Sequence, residues 1–373
     1  MKSGKRKRLK VILRVLFAVL IAAAVFVIVS AAVRSRDNLT LRGVVSNVTS
    51  LWSKDTIADE LNYERCTAVR QLGSGIATVS ENGVRTYGGD NSEAVLSAFT
   101  MNEPYLESGG DAAIACDIGG NALKVFRLNS VVCEIETDNP IISAHINRSG
   151  WFTVCTRESG YTSSVTVYNA KGEAVYKWYS GEGYILSARV SDKNRGMTAL
   201  VLSRGGSELV WFKFTSEEEQ RRFTLSDGVI IDFDFMSGGR LAAVTAEKLL
   251  IINDKAETAA EYGFSGRVLS CYDIDKKTVV LGLWDDKFGK SGAVAAVSSS
   301  GKETGLVSVN GSITDVSWAG KTCAVLLENG VKTFVSSSLD GGKSFDFLGG
   351  RGVIAQKDGS VLVTGEYTAS HLK

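Results

Sequence analysis

Six side chains stand out as able to hold or polarise a ligand: His145, Arg189, Asp232, Asp234, Tyr272 and Asp315. Each lies on a short strand-like run, and Ser143, Ser187, Ser270 and Ser317 fall two residues from one of them. Alternate positions on a strand face the same way, so each run presents one polar edge. The intervening Ile142, Ala144, Leu186, Ala188, Ile231, Phe233 and Val316 are apolar and are expected to pack. Together the polar positions offer a base, a cation, a phenol and three carboxylates, which suits a small polar ligand, a cation or a peptide end. The same set is also what a hydrated axis of mutually offsetting charges contains.

Other chemistry has little to draw on. His145 and His371 are the only two histidines, so a Ser-His-Asp arrangement or a multi-histidine metal site lacks members. The six cysteines, at positions 66, 116, 133, 155, 271 and 323, show no Cys-x-x-Cys spacing. Cys116, Cys155 and Cys323 recur in second strands of their units, which predicts equivalent buried thiols rather than disulfides. No Gly-rich loop opens a helix as a phosphate cradle requires. Asp285-Asp286, and Glu217 to Glu219 with Arg221 and Arg222, read as solvated turns. Trp178 and Tyr179 suit blade packing and a glycan-stacking surface equally. No catalytic residue, metal site or cofactor is expected.

The elements that position these residues are legible as a repeat. Residues 76–87 align without a gap on residues 323–334, sharing Ala, Glu, Asn, Gly, Val and Thr. Each copy reads as a hairpin, with Asn-Gly expected to form a type I′ turn. Six intervening steps give a period of about 41 residues, the size of a four-stranded propeller blade. First strands are expected near Thr67, Tyr105, Ile141, Ile185, Val229, Val268 and Ile313, and a further hairpin over 352–365 is expected to help close the ring. The predicted fold is all-β, a seven- or eight-bladed β-propeller after a single N-terminal transmembrane α-helix. One turn, Ser338-Leu339-Asp340-Gly341-Gly342-Lys343-Ser344-Phe345, resembles the Asp-box of sialidase-type propellers, with Phe in place of Trp, and implies fold rather than activity.

Residues 11–33 are apolar apart from Arg14 and Ser30 and are long enough to span a bilayer. Six Lys and Arg precede them with no acid among them, which predicts a cytoplasmic N-terminus and an exported remainder. A signal peptide cleaved after Ser30-Ala31-Ala32 is the competing reading, and it also exports the rest. The expected organisation is a basic cytoplasmic segment 1–10, a membrane helix 11–33, a juxtamembrane stalk 34–62, the propeller 63–366 and a tail 367–373. From residue 43 onward there are 32 basic and 40 acidic side chains, a net of −8, which disfavours nucleic acid as a partner.

The exported part also resembles an uncharacterised family of single-pass, membrane-anchored propeller proteins of Gram-positive anaerobes. The likeness rests on residues 75–87, on residues 161–175 with their Val-Tyr-Asn-Ala-Lys-Gly turn, and on Gly181-Glu182-Gly183-Tyr184. It implies a bacterial surface location and supplies no known activity or catalytic residue. The function expected is a non-catalytic docking or scaffold module for an envelope protein or glycan. The alternatives are an exported glycan-active enzyme using acidic channel residues, and a sensor acting through a membrane partner.

Overall fold

A computed structural model describes residues 60–373. The expected membrane helix, the basic segment before it and nearly all of the stalk lie outside the described residues. Within them, 32 strands form eight four-stranded antiparallel sheets. Seven sheets are each built from four consecutive strands. Numbered along the chain, blades 1 to 7 begin with the strands Ala68–Leu72, Pro104–Gly109, Ile141–Ile146, Gly183–Val190, Ile230–Met236, Val268–Ile274 and Ile313–Ala319.

Blade 8 settles the count at eight and corrects two boundaries. It runs Gly352–Ala355, Val361–Thr364, Thr368–Leu372 and finally Glu60–Asn62, the outermost strand coming from the other end of the described chain. Residues 367–373, expected to be a tail, therefore supply a strand, and the propeller begins at Glu60 rather than at 63. Leu61 pairs with Ala369, and both are fully buried. The physical reason is the sheet edge: without Glu60–Asn62 the strand Thr368–Leu372 would show unpaired backbone groups to water.

Second strands are buried on both faces because each sheet is sandwiched by its neighbours. Ala112–Asp117 and Phe152–Thr156 are buried throughout. Outer strands such as Glu219–Leu225 are largely exposed. The core accordingly lies between blades, as where Cys155, Val165 and Val167 of blade 3 meet Ile185, Ala188, Val210 and Phe212 of blade 4. Burying each large apolar side chain contributes roughly 1.5–3 kcal/mol.

Two local readings change. The paired hairpins exist, but Ser80 pairs with Gly83 and Leu327 with Gly330, so the two-residue turns are Glu81-Asn82 and Glu328-Asn329. Each Gly stands instead at the start of the third strand, with φ +143° at Gly83, where a Cβ would meet the Ser97 carbonyl oxygen at 2.3 Å. Asn-Gly here serves the close approach of the fourth strand, not a type I′ turn.

The second change concerns the first strands. In blades 3 to 7 each carries a register shift, between Ile141 and Ser143, Ile185 and Ser187, Ile230 and Asp232, Leu269 and Cys271, and Ile313 and Asp315. Such a bulge inserts one unpaired residue and re-aims those that follow. In blade 6 it makes Cys271 and Asp273, not Ser270 and Tyr272, the counterparts of Asp232 and Asp234.

All six cysteines are free thiols. Cys116 and Cys155 pair with Tyr105 and Ser143 at matching positions, whereas Cys323 pairs with Trp318, three residues out of step. Burial pushes the Cys116 and Cys155 thiols up to about 12, which leaves them protonated and unreactive.

Candidate functional site: a charge network on the propeller axis

Arg189 is the hub. Its Nη1 lies 3.2 Å from Glu107 Oε1 and 4.0 Å from Asp234 Oδ2, and its Nη2 lies 3.2 Å from Asp232 Oδ1. Glu107 belongs to blade 2 and Arg189 to blade 4, so the pair reaches past blade 3 and must run through the centre of the ring. Glu107 Oε2 also meets His145 Nδ1 at 2.6 Å and accepts from the Tyr105 hydroxyl at 2.7 Å. Tyr272, out of register with the other first-strand positions, still donates its hydroxyl to Asp232 Oδ2 at 3.3 Å. Five of the six expected residues therefore meet in one network.

Asp315 does not join it. Its two oxygens accept from the backbone N–H groups of Val316 and Val353, both at 2.9 Å, so it stitches blade 7 to blade 8. Asp273 acts similarly, accepting from the Trp318 N–H at 2.6 Å. Ser317 Oγ accepts from Ala355 N at 3.1 Å, and Ser270 Oγ donates to the Ile313 carbonyl at 2.7 Å.

The carboxylates respond to these surroundings in opposite directions. Burial alone would raise Glu107, but His145 and Arg189, with the hydrogen bonds of His145 and Tyr105, reverse this and hold it down at about 2. Burial dominates at Asp273 and pushes it up to about 6, the Trp318 N–H opposing and Asp275 and Asp315 adding. Asp234 and Asp315 are raised by burial as well, against nearby positive charge.

One mouth of the axis is strapped. Arg148 Nη2, in the turn after the first strand of blade 3, lies 3.0 Å from Asp275 Oδ1 in the corresponding turn of blade 6. Lys276 Nζ reaches Asp192 Oδ1 of blade 4 at 2.7 Å and the Phe235 carbonyl of blade 5 at 3.0 Å.

Glu107 was the residue that sequence reasoning missed. The alignment of polar edges began at blade 3, and blade 2 lacks the bulge. The signal was present, since Cys116 matches Cys155 and therefore places Glu107 at the level of His145. The outer charge clusters are occupied locally: Asp285 takes Arg267 at 2.9 Å, and Arg222 pairs with Glu208 and Glu219. Among the described residues, no three His, Cys, Asp or Glu side chains are grouped to hold a metal ion.

The model of a family of unknown function, DUF5711, matches residues 48–345. The chain belongs to DUF5711. No curated protein matches it. Among solved structures, the DUF5711 chain is similar to the C-terminal WD40 domain of Sif2, with a TM-score of 0.62 at 11% identity over 85% of this chain and 98% of that one. It is also similar to BamB from Moraxella catarrhalis, with a TM-score of 0.55 at 12% identity over 85% and 99%. A third likeness is to Kuenenia stuttgartiensis hydrazine synthase, with a TM-score of 0.52 at 10% identity over 75% and 97%. At such identities the likeness is one of fold, and DUF5711 carries no assigned activity.

Proposed function

We propose that this DUF5711 protein is a non-catalytic docking module whose propeller, carried on a membrane helix over residues 11–33, recognises an envelope protein or glycan outside the cell. The observation that supports it is the closed polar centre. Arg189, Glu107, His145, Asp232, Asp234 and Tyr272 pair with one another, and although Arg189 Nε keeps no partner among the described residues, the carboxylates are all engaged, which is the arrangement of a structural axis rather than of an open acid and base. Propeller folds widely serve as interaction platforms, and that general tendency supports the same reading by analogy.

Capture from a native envelope tests it, with the full chain crosslinked in place and its partners identified. A specific envelope component should be recovered, and recovery should survive Asp234→Asn. Turnover of an envelope glycan that Asp234→Asn abolishes would overturn this reading in favour of the enzyme.

A further inference from the structure

Where the chain crosses from blade 3 to blade 4, residues of both blades line a cleft of about 1010 Å³. One wall carries Trp178, from the outer strand Ala174–Ser180 of blade 3. Its ring centroid lies 4.5 Å from that of Phe212 in blade 4, so the indole is braced from behind by the core while lining the cleft. At the rim Tyr184 is 61% exposed. It belongs to Gly181-Glu182-Gly183-Tyr184, a segment that lies wholly in the lining and that no part of the axial network uses.

The facing wall holds Glu208, only 9% exposed, paired with Arg222 and accepting from Ser203 Oγ at 3.0 Å. Glu208, Val210 and Phe212 alternate along one strand and so share a face. Val210 and Phe212 give that face to the core between the blades, where a valine or leucine at position 208 would extend the packing. An ion pair whose arginine is 38% exposed gains the fold little over such a side chain. What it provides is a carboxylate and a guanidinium held in place by Ser203 and Glu219 opposite an aromatic ring, each with hydrogen-bonding capacity left over.

A braced aromatic face opposite oriented donors and acceptors matches a pyranose, whose C–H face is apolar and whose rim is hydroxyl. Charge narrows the ligand: Glu182 and Glu208 balance Arg204 and Arg222 among the lining residues, so no net charge awaits an ionic partner. We infer that this cleft binds a neutral pyranose chain, Trp178 and Tyr184 taking the ring faces and the Glu208–Arg222 pair the hydroxyls. The inference rests on the docking reading above and names its ligand.

Calorimetric titration of the full-length chain, in a detergent without sugar head groups, tests it with β-1,4-linked hexamers of glucose and of N-acetylglucosamine. One hexamer should bind saturably. Tyr184→Ala and Arg222→Lys should each weaken that binding by about tenfold, while Leu348→Ala, at an exposed position outside the cleft, leaves it unchanged. Absence of saturable binding to both hexamers, or binding indifferent to both cleft variants, overturns the inference and leaves the docking reading standing. Loss of a captured protein partner in Tyr184→Ala without sugar binding also overturns it, assigning the cleft to protein. Cleavage of a hexamer during titration instead overturns the non-catalytic reading.

Discussion

Arg189 is a buried cation whose worth lies in what its removal leaves behind. Arg189→Met would strand Glu107 and Asp232, only 18% and 24% exposed, without their positive partner. Loss of one member of such a network costs roughly 3–5 kcal/mol. Urea unfolding should show a drop of that order; a loss below about 1 kcal/mol, the range of exposed pairs, would mean that the axis is wetter than the geometry implies. Asp273 makes the opposite kind of contribution. Its carboxyl is raised to about 6 in the fold against about 3.9 when unfolded, so the stabilisation it gives is complete below about pH 4 and lost as pH rises through 6. Asp273→Asn keeps an acceptor for the Trp318 N–H and cannot ionise. The variant should match the parent near pH 4 and exceed it by about 3 kcal/mol at pH 8. Equal unfolding midpoints at pH 8 would show that Asp273 carries no such cost. Glu107, held down at about 2, has the reverse sign: its share is present above about pH 4.3 and fades as pH falls toward 2.

At the scale of the element, closure of blade 8 is the sharpest case. Ending the chain after Gly365 removes Thr368–Leu372 and with it the strand that, among the described residues, pairs with Glu60–Asn62. The exposed edge of Val361–Thr364 and the freed Leu61 should lower the melting temperature far more than the loss of eight terminal residues elsewhere would. A truncated domain that melts cooperatively at the parent temperature would refute the ring. This element also marks where the sequence was and was not legible. The strands were readable because alternation and turn residues recur at a blade period, and the hairpin at 352–365 stood out by its Asp358-Gly359 turn. Thr368–Leu372 was not readable, because its Ala369 and Leu372 make sense only beside strands from both ends of the repeat. The bulges were equally silent. An inserted residue leaves composition unchanged, and only the pairing shows that the blade 6 bulge follows Leu269, so that Cys271 and Asp273 rather than Ser270 and Tyr272 match the other four polar edges. Of the axial network, five residues could be found from alternation alone; Glu107 needed the correspondence of Cys116 with Cys155, and the pairing of charges across the ring needed coordinates.

For the whole molecule, placement is what the N-terminal sequence bears on. The basic cluster before residue 11 predicts that protease added to intact cells digests the propeller and leaves a small membrane-bound N-terminal fragment. A propeller protected until lysis would reverse the orientation, and release of an intact soluble domain would support cleavage after residues 30–32. Thermolysin sensitivity should otherwise be low, since the blades share one ring and their second strands are buried.

The pairing of Leu61 with Ala369 also sets a clock. The strand Glu60–Asn62 leaves the ribosome about 300 residues before its partner, a wait of roughly 15 to 60 s at ordinary rates of synthesis. Through that interval Leu61 has no place to go, and the blades accumulate as an arc that is still open when the seventh is complete. A nascent chain in this condition is a substrate for chaperones, and two such chains emerging side by side could close each other's rings. The strand that makes the finished propeller seamless is thus the one that keeps it unfinished longest.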